Sequence, residues 1–320
     1  MNKSSFTTAS TFPIKVIANP NIVSDVVCHH IRPVHIQLNP TNRCNLNCSY
    51  CSCKNRDTGS IMNINDAKHL IDTFKRLGTE AITITGGGEP LYYPDLAELF
   101  SYIRKQEISI GLTTNGLLFH KIDKNILNMC TWCRISVSDE QYLSSLKIDN
   151  VLNDITDFAF SYVLNNKETN YTNLINCIDY ANKHNFTHIR LVDDILGTEN
   201  HTDRVRARLK ELNIDDSLVI YQGRKNFSRG NKRCLISLLK PNIDPDGNFL
   251  PCCGVQYAKT ETSFDFDKNM IMNSTKTIEE IFEEQIFFDG SQCDVCYYSE
   301  YNDLLNILWD TKKLQHKFFI

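Results

Sequence analysis

From residue 34 to about residue 192, short runs rich in β-branched and aromatic residues alternate with longer stretches whose apolar positions recur at helical spacing. The strand-like runs cover residues 34–38, 81–85, 108–113, 132–137, 158–164 and 188–192. Between them Ala67, Leu70, Ile71, Phe74 and Leu77 fall on one helix face. So do Leu96, Leu99, Phe100 and Ile103, and again Leu174, Ile175, Ile178 and Ala181. Strands separated by helices are βαβ units, so the pattern predicts an α/β fold with a parallel sheet of six units. Functional groups of such sheets gather at the carboxyl ends of the strands. The polar loops obey that rule: residues 42–51 follow the first run, Gly86-Gly87-Gly88-Glu89-Pro90 the second, and Thr113-Thr114-Asn115-Gly116 the third. Ser136-Val137-Ser138-Asp139 ends the fourth.

After Gly197 the alternation stops. A charged helix is expected over about residues 198–213, then a loop rich in Gly, Asn and Arg reaching Cys234. A hairpin follows, with strands at 235–242 and 248–251 around the turn Asp244-Pro245-Asp246-Gly247, ending at Cys252 and Cys253. Asp-Gly between two apolar runs is a strong turn signal. A helix over residues 277–288 precedes Cys293-x2-Cys296, and a last amphipathic helix carries Leu304, Leu305 and Leu308. The chain thus divides into an extension (1–33), a core (34–197) and a carboxy-terminal unit (198–320).

Composition narrows the chemistry. Among 320 residues there are thirteen cysteines. The first ten residues are polar and lack the apolar stretch of a secretory signal, and no run is long enough to cross a membrane. These features place the chain in the reducing cytoplasm, where cysteines serve as metal ligands or reactive thiols. A net charge of −4 argues against a nucleic-acid partner. One basic stretch runs from Arg204, Arg206, Arg208 and Lys210 to Arg224, Lys225, Arg229, Lys232 and Arg233. It reads as a solvated helix face and loop, or as a dock for an acidic substrate.

Cys44, Cys48 and Cys51 offer three thiolates in one short loop with C-x3-C-x2-C spacing. A structural zinc site wants four ligands, usually as two separated pairs. Three cysteines instead suit a cubane iron–sulfur cluster with one iron left open. With the aromatic Tyr50 just before the third cysteine, the loop resembles that of the radical S-adenosylmethionine (radical SAM) enzymes. The resemblance implies a partial (β/α)6 TIM-type barrel with a small carboxy-terminal hairpin-and-helix extension. It also implies a 4Fe–4S cluster on these cysteines, S-adenosylmethionine on the open iron, a 5′-deoxyadenosyl radical, and an electron donor such as a flavodoxin or ferredoxin. Gly87, Gly88, Glu89 and Pro90 match the family's Gly-Gly-Glu-Pro element, whose glycines let backbone carbonyls approach the cofactor's amino group. Ser136 and Ser138 fall where the family binds ribose and carboxylate. The family often has Asp at position 138, which makes Asp139 a possible substitute. Asn115 also matches a family element, though Asn-Gly is equally a plain turn.

Cys234, Gly247, Cys252, Cys293 and Cys296 form a second constellation. It resembles the twitch extension of radical SAM enzymes, the shorter relative of SPASM, and implies a closed auxiliary 4Fe–4S cluster on the four cysteines. Two hairpin cysteines plus C-x2-C also suit structural zinc, and Cys253 competes with Cys252 as ligand. The remaining cysteines are Cys28, Cys53, Cys130, Cys133 and Cys177. Since some enzymes of this kind invert a stereocentre with a thiol hydrogen donor, Cys53 and Cys133 are the candidates. The expected activity is oxidation of a peptide or small molecule by two electrons. Epimerisation and a cluster-holding sensor or electron carrier are the rivals.

Overall fold

The computed structural model describes residues 8–51, 53, 56–165, 171–194, 201–222, 229–254, 270–293, 296 and 298–311. Gly197, Arg224 and Lys225 lie outside the described residues. Seven strands run parallel, each beside the next in sequence: β1 (His35–Leu38), β2 (Ala81–Ile84), β3 (Ser109–Thr114), β4 (Trp132–Ser138), β5 (Asp157–Leu164), β6 (His188–Asp193) and β7 (Val219–Gln222). On the far side of β1 come β8 (Asn242–Ile243), parallel to it, and β9 (Phe249–Leu250), antiparallel to β8. The order is β7-β6-β5-β4-β3-β2-β1-β8-β9. This is an α/β partial barrel with open edges at β7 and β9.

The helices are α1 (Thr8–Ala18), α2 (Pro20–Val27), α3 (Ile64–Arg76), α4 (Leu96–Lys105), α5 (Lys124–Leu127), α6 (Thr172–Lys183), α7 (Thr202–Glu211), α8 (Ile236–Leu239), α9 (Ile278–Glu283) and α10 (Ser299–Trp309). The apolar faces read from spacing are the buried ones. Ala67, Ile71 and Phe74 of α3, Leu99, Phe100 and Ile103 of α4, and Leu174, Ile178 and Ala181 of α6 all pack against the sheet.

Two expectations need correction. Parallel pairing does not stop near Gly197, because β7 adds a further strand beside β6. Four residues after a charged helix are too short a run to show a period. The second concerns residues 235–242, expected as a strand. Ile236–Leu239 is helical, and only Asn242–Ile243 is extended. All four residues of that helix are buried, so the run carried no alternation that could separate strand from helix.

The first residues are more than an appendage. Phe12 of α1 stacks on Tyr301 of α10 at 4.6 Å, and His29 stacks on Trp309 at 4.0 Å while its Nε2 bonds Trp309 O at 2.8 Å. Together α1, α2 and α10 cover one end of the barrel. Among the described residues no helix is long and apolar enough to cross a membrane.

Strand parity sets the interior. Along β4, Trp132, Arg134 and Ser136 are half-buried and face the cavity, whereas Ile135 and Val137 are fully buried away from it; Cys133 is fully buried too but still borders the cavity.

Candidate active site

The loop after β1 carries Cys44, Cys48 and Cys51, all half-buried. The loop after β2 anchors it. Gly88 N donates to Thr41 O at 3.2 Å and Glu89 N to Arg43 O at 2.7 Å. A Cβ on Gly88 would stand 2.1 Å from Arg43 O, and one on Gly87 2.2 Å from Asn42 Oδ1. The glycines therefore serve a close backbone approach between two loops. Arg56 clamps the same loop, donating to Asn42 O and Cys53 O at 2.7 Å each.

Glu89 is buried beneath that junction. Its carboxylate accepts from Leu91 N at 3.0 Å, Thr114 Oγ1 at 2.5 Å and Asn115 N at 2.7 Å, tying the β2 and β3 loops together. Burial raises its pKa, with those three donors opposing. Pro90 continues the turn from Glu89 as the first residue of a short 3-10 helix. Asn115 reaches the cysteine loop, donating from Nδ2 to Asn45 Oδ1 at 2.8 Å.

The serines on β4 part company. Ser136 lines the central cavity. Ser138 is fully buried, and its hydroxyl accepts from Glu140 N at 3.1 Å and Gln141 N at 3.0 Å, closing the turn after β4. The Tyr50 hydroxyl also meets Ser138, and burial holds the phenol up. Asp139 faces elsewhere: Tyr162 Oη donates to it at 2.9 Å and Asn165 N at 3.1 Å, so it is a brace to β5.

The cavity enclosed by the strands measures about 970 Å³. Its walls include the three loop cysteines, Gly86 to Glu89, Asn115, Ser136 and the inward residues of β1 to β6. Lys240, Cys253 and Tyr298 join them from the carboxy-terminal unit.

A second, small cavity of about 20 Å³ is lined by Cys234, Cys252, Cys293 and Cys296 together. The sequence had left Cys252 and Cys253 in competition. Cys252 faces this small cavity, whereas Cys253 faces the central one, with its Sγ 3.3 Å from Tyr298 Oη. Tyr298 lines both spaces. Close chain crossings shape the small site: a Cβ on Gly230 would stand 2.1 Å from Gly290 O, and Gly230 N donates to Cys293 O at 3.0 Å.

The donor set fits sulfur-ligated iron. N–H groups reach thiols of both sets: Leu46 N to Cys44 (3.4 Å), Arg56 Nη1 to Cys51 (3.7 Å), Asn302 Nδ2 to Cys234 (3.5 Å), Gly254 N to Cys252 (3.3 Å) and the Tyr298 backbone to Cys296. Such bonds are the protein's means of tuning cluster sulfurs. Burial pushes Cys234 up to about 12 and raises Cys44, Cys48 and Cys296. Among the described residues no three His, Cys, Asp or Glu side chains converge tightly enough for a single ion.

Of the expected thiol donors, Cys53 is buried beside the cysteine loop and lines the central cavity. Cys133 is fully buried and also borders that cavity, and burial lifts its thiol well above the ordinary value. Sequence reasoning missed Arg56, Lys240, Tyr298 and the inward role of Cys253. The adjacent Cys252-Cys253 pair was the available signal, since neighbouring side chains must diverge.

Residues 38–212 match the sequence profile of the Radical SAM superfamily. The chain belongs to the radical SAM superfamily. It is 30% identical over 161 residues to the GTP 3′,8-cyclase of Staphylococcus saprophyticus, covering 47% of this chain and 43% of that one. It is also 39% identical over 88 residues to a probable GTP 3′,8-cyclase of Methanococcus maripaludis, covering 27% and 29%. The matches thus span less than half the length of these curated relatives. A crystal structure of Streptococcus suis SuiB bound to precursor peptide SuiA superposes with a TM-score of 0.60 at 15% identity, over 92% of this chain and 78% of that chain. This radical SAM chain and SuiB therefore share their fold.

Proposed function

We propose that this radical SAM protein is an oxidoreductase that removes two electrons from a peptide or small-molecule substrate in the cytoplasm. The observation carrying this reading is the four-thiol site that shares Tyr298 with the central cavity. Cys44, Cys48 and Cys51 would hold a 4Fe–4S cluster that binds S-adenosylmethionine, and Cys234, Cys252, Cys293 and Cys296 a closed one. When bound, these groups supply reductive cleavage of the cofactor, hydrogen-atom abstraction and an acceptor for the substrate's second electron. Asn115, Ser136 and the Gly87–Gly88 backbone present polar groups to the cofactor, while Tyr50 and Ser138 stiffen the rim behind it. The peptide class draws support from SuiB, which binds a precursor peptide; the cyclases draw attention to nucleotides. A flavodoxin or ferredoxin is the expected electron donor.

A second reading, epimerisation, is favoured by Cys253. It stands in the central cavity beside Tyr298 and is better placed than Cys133 to return a hydrogen atom. Anaerobic protein should hold about eight irons and, reduced, form 5′-deoxyadenosine. Triple replacement of Cys44, Cys48 and Cys51 by Ala should leave about half the iron and no cleavage. Zinc in place of the second four irons would sink the auxiliary cluster and leave cofactor cleavage intact. With substrate in deuterated water, a product two mass units lighter supports oxidation. Deuterium gain without mass loss, abolished by Cys253→Ala, establishes the second reading instead.

A further inference from the structure

Lys240 stands where the barrel meets the carboxy-terminal unit. It ends α8, its backbone N–H donating to Ile236 O at 2.9 Å, and leads into β8. Two registers fix its place. In the β8–β9 hairpin Asn242 faces Leu250, so two residues earlier Lys240 falls opposite Cys252. Beside β1, Asn242 pairs with Gln37, which sets Lys240 level with His35 at the amino end of that strand. The loop with Cys44 leaves the other end. The Lys240 side chain lines the central cavity and carries Nζ to 5.8 Å from the centre of the Tyr298 ring. That tyrosine also lines the four-thiol site.

Among the described residues no carboxylate comes within ion-pair distance of Lys240, and its ammonium makes no hydrogen bond. Glu89, Asp157, Asp193 and Asp194 line the same cavity, but other groups act on this lysine most. Burial lowers its pKa above all; the Cys253 and Cys252 thiols oppose that, and Arg134 and Arg190 add to it. His35 registers the same neighbour, since burial first and Lys240 next hold its imidazole well down.

The four-thiol site presents the complementary case. Among the described residues its walls carry no charged side chain besides the thiols themselves. The N–H groups that reach Cys234, Cys252 and Cys296 are neutral. Outside the walls Asp303, bonded to Asn231 Nδ2 at 2.6 Å, faces Cys296 with a further negative charge. Four cysteinates around a 4Fe–4S core leave it net negative, and charge is one of the quantities that set its potential. A cation in a partly desolvated wall acts across several ångströms with little screening.

We infer that Lys240 is a positioning residue: its ammonium is the counter-cation of the four-thiol site and favours the reduced state of the iron–sulfur group held there. The inference rests on the closed-cluster reading of Cys234, Cys252, Cys293 and Cys296. It adds the group that fits that site to take an electron from the central cavity.

The test is a redox titration of anaerobic, reconstituted protein followed by electron paramagnetic resonance, with and without S-adenosylmethionine. The signal that S-adenosylmethionine alters belongs to the Cys44 set, and the signal it leaves alone to the second set. Lys240→Met removes the charge and keeps most of the stem. It should shift the reduction equilibrium of the second signal at least tenfold toward the oxidised state, about 60 mV for one electron, and leave the first signal in place. Lys240→Arg should keep the second midpoint near that of the unchanged protein. An unmoved second midpoint in Lys240→Met, or equal shifts of both signals, would overturn the inference. Should Lys240→Met lose its second iron set, retention of that set by Lys240→Arg still assigns the role to the charge, and loss from both variants rejects it. A protein that takes zinc at the four thiols and shows one signal only ends the closed-cluster reading, and the inference with it.

Discussion

Glu89 is the residue whose sequence context and structural task differ most. Its place in a Gly-Gly-Glu-Pro element suggests a group facing cofactor, yet its carboxylate is consumed by three donors in the protein. Glu89→Gln would set an amide N–H₂ against at least one of those donors. A loss of roughly 1–3 kcal/mol in denaturant unfolding is expected despite the matched shape. The pH dependence has a definite sign. Because burial raises the folded pKa, the unfolded chain releases its proton first as pH climbs. Stability from this group is therefore present in acid and lost as pH rises from the ordinary carboxylate value through the folded one. The slope should vanish in Glu89→Gln when melting midpoints are followed across that window. The grouping of the cysteines into two sets was legible in the sequence because their spacing is fixed at short range. The direction of Cys253, Asp139 and Glu89 was not, because direction depends on turn geometry and on partners far along the chain.

At the scale of elements, the loops after β1 and β2 fit together only if Gly88 lacks a side chain. Gly88→Ala should prise the cysteine loop from the β2 loop, and under the two-cluster proposal iron analysis should show roughly half the full complement. Gly111→Ala acts on strands: its Cβ would meet the Trp132 ring at 2.1 Å. A destabilisation of about 1–3 kcal/mol is expected, with a changed emission from one of only two tryptophans in the chain. The core strands were legible from their β-rich runs, and most plainly where α3, α4 or α6, each long enough to declare its period, stands between them. The helix at Ile236–Leu239 was misread and β7 overlooked for a common reason: runs of four residues, wholly buried or bordering charged loops, carry no period.

Across the whole molecule, α1 and α2 pack against α10. Removing residues 1–27 should strip Phe12 from Tyr301 and uncover the barrel end beneath α1 and α2. A lower melting midpoint and easier quenching of Trp132 by acrylamide are expected, and an unchanged quenching profile would show that the end is closed by other means. The pairing of β8 with β1 matters in a further way. Gln37 N donates to Pro241 O at 3.0 Å, Asn39 N to Ile243 O at 2.9 Å, and Ser60 Oγ to Asp246 at 3.3 Å. The loop with Cys44 thus leaves β1, and the hairpin that ends at Cys252 begins on β8, the strand beside it. Mechanically they form a single stiff bracket. Strand pairing resists any change in the interval between Cys44 and Cys252, so any electron passing between those thiols would cross a gap that thermal motion modulates little.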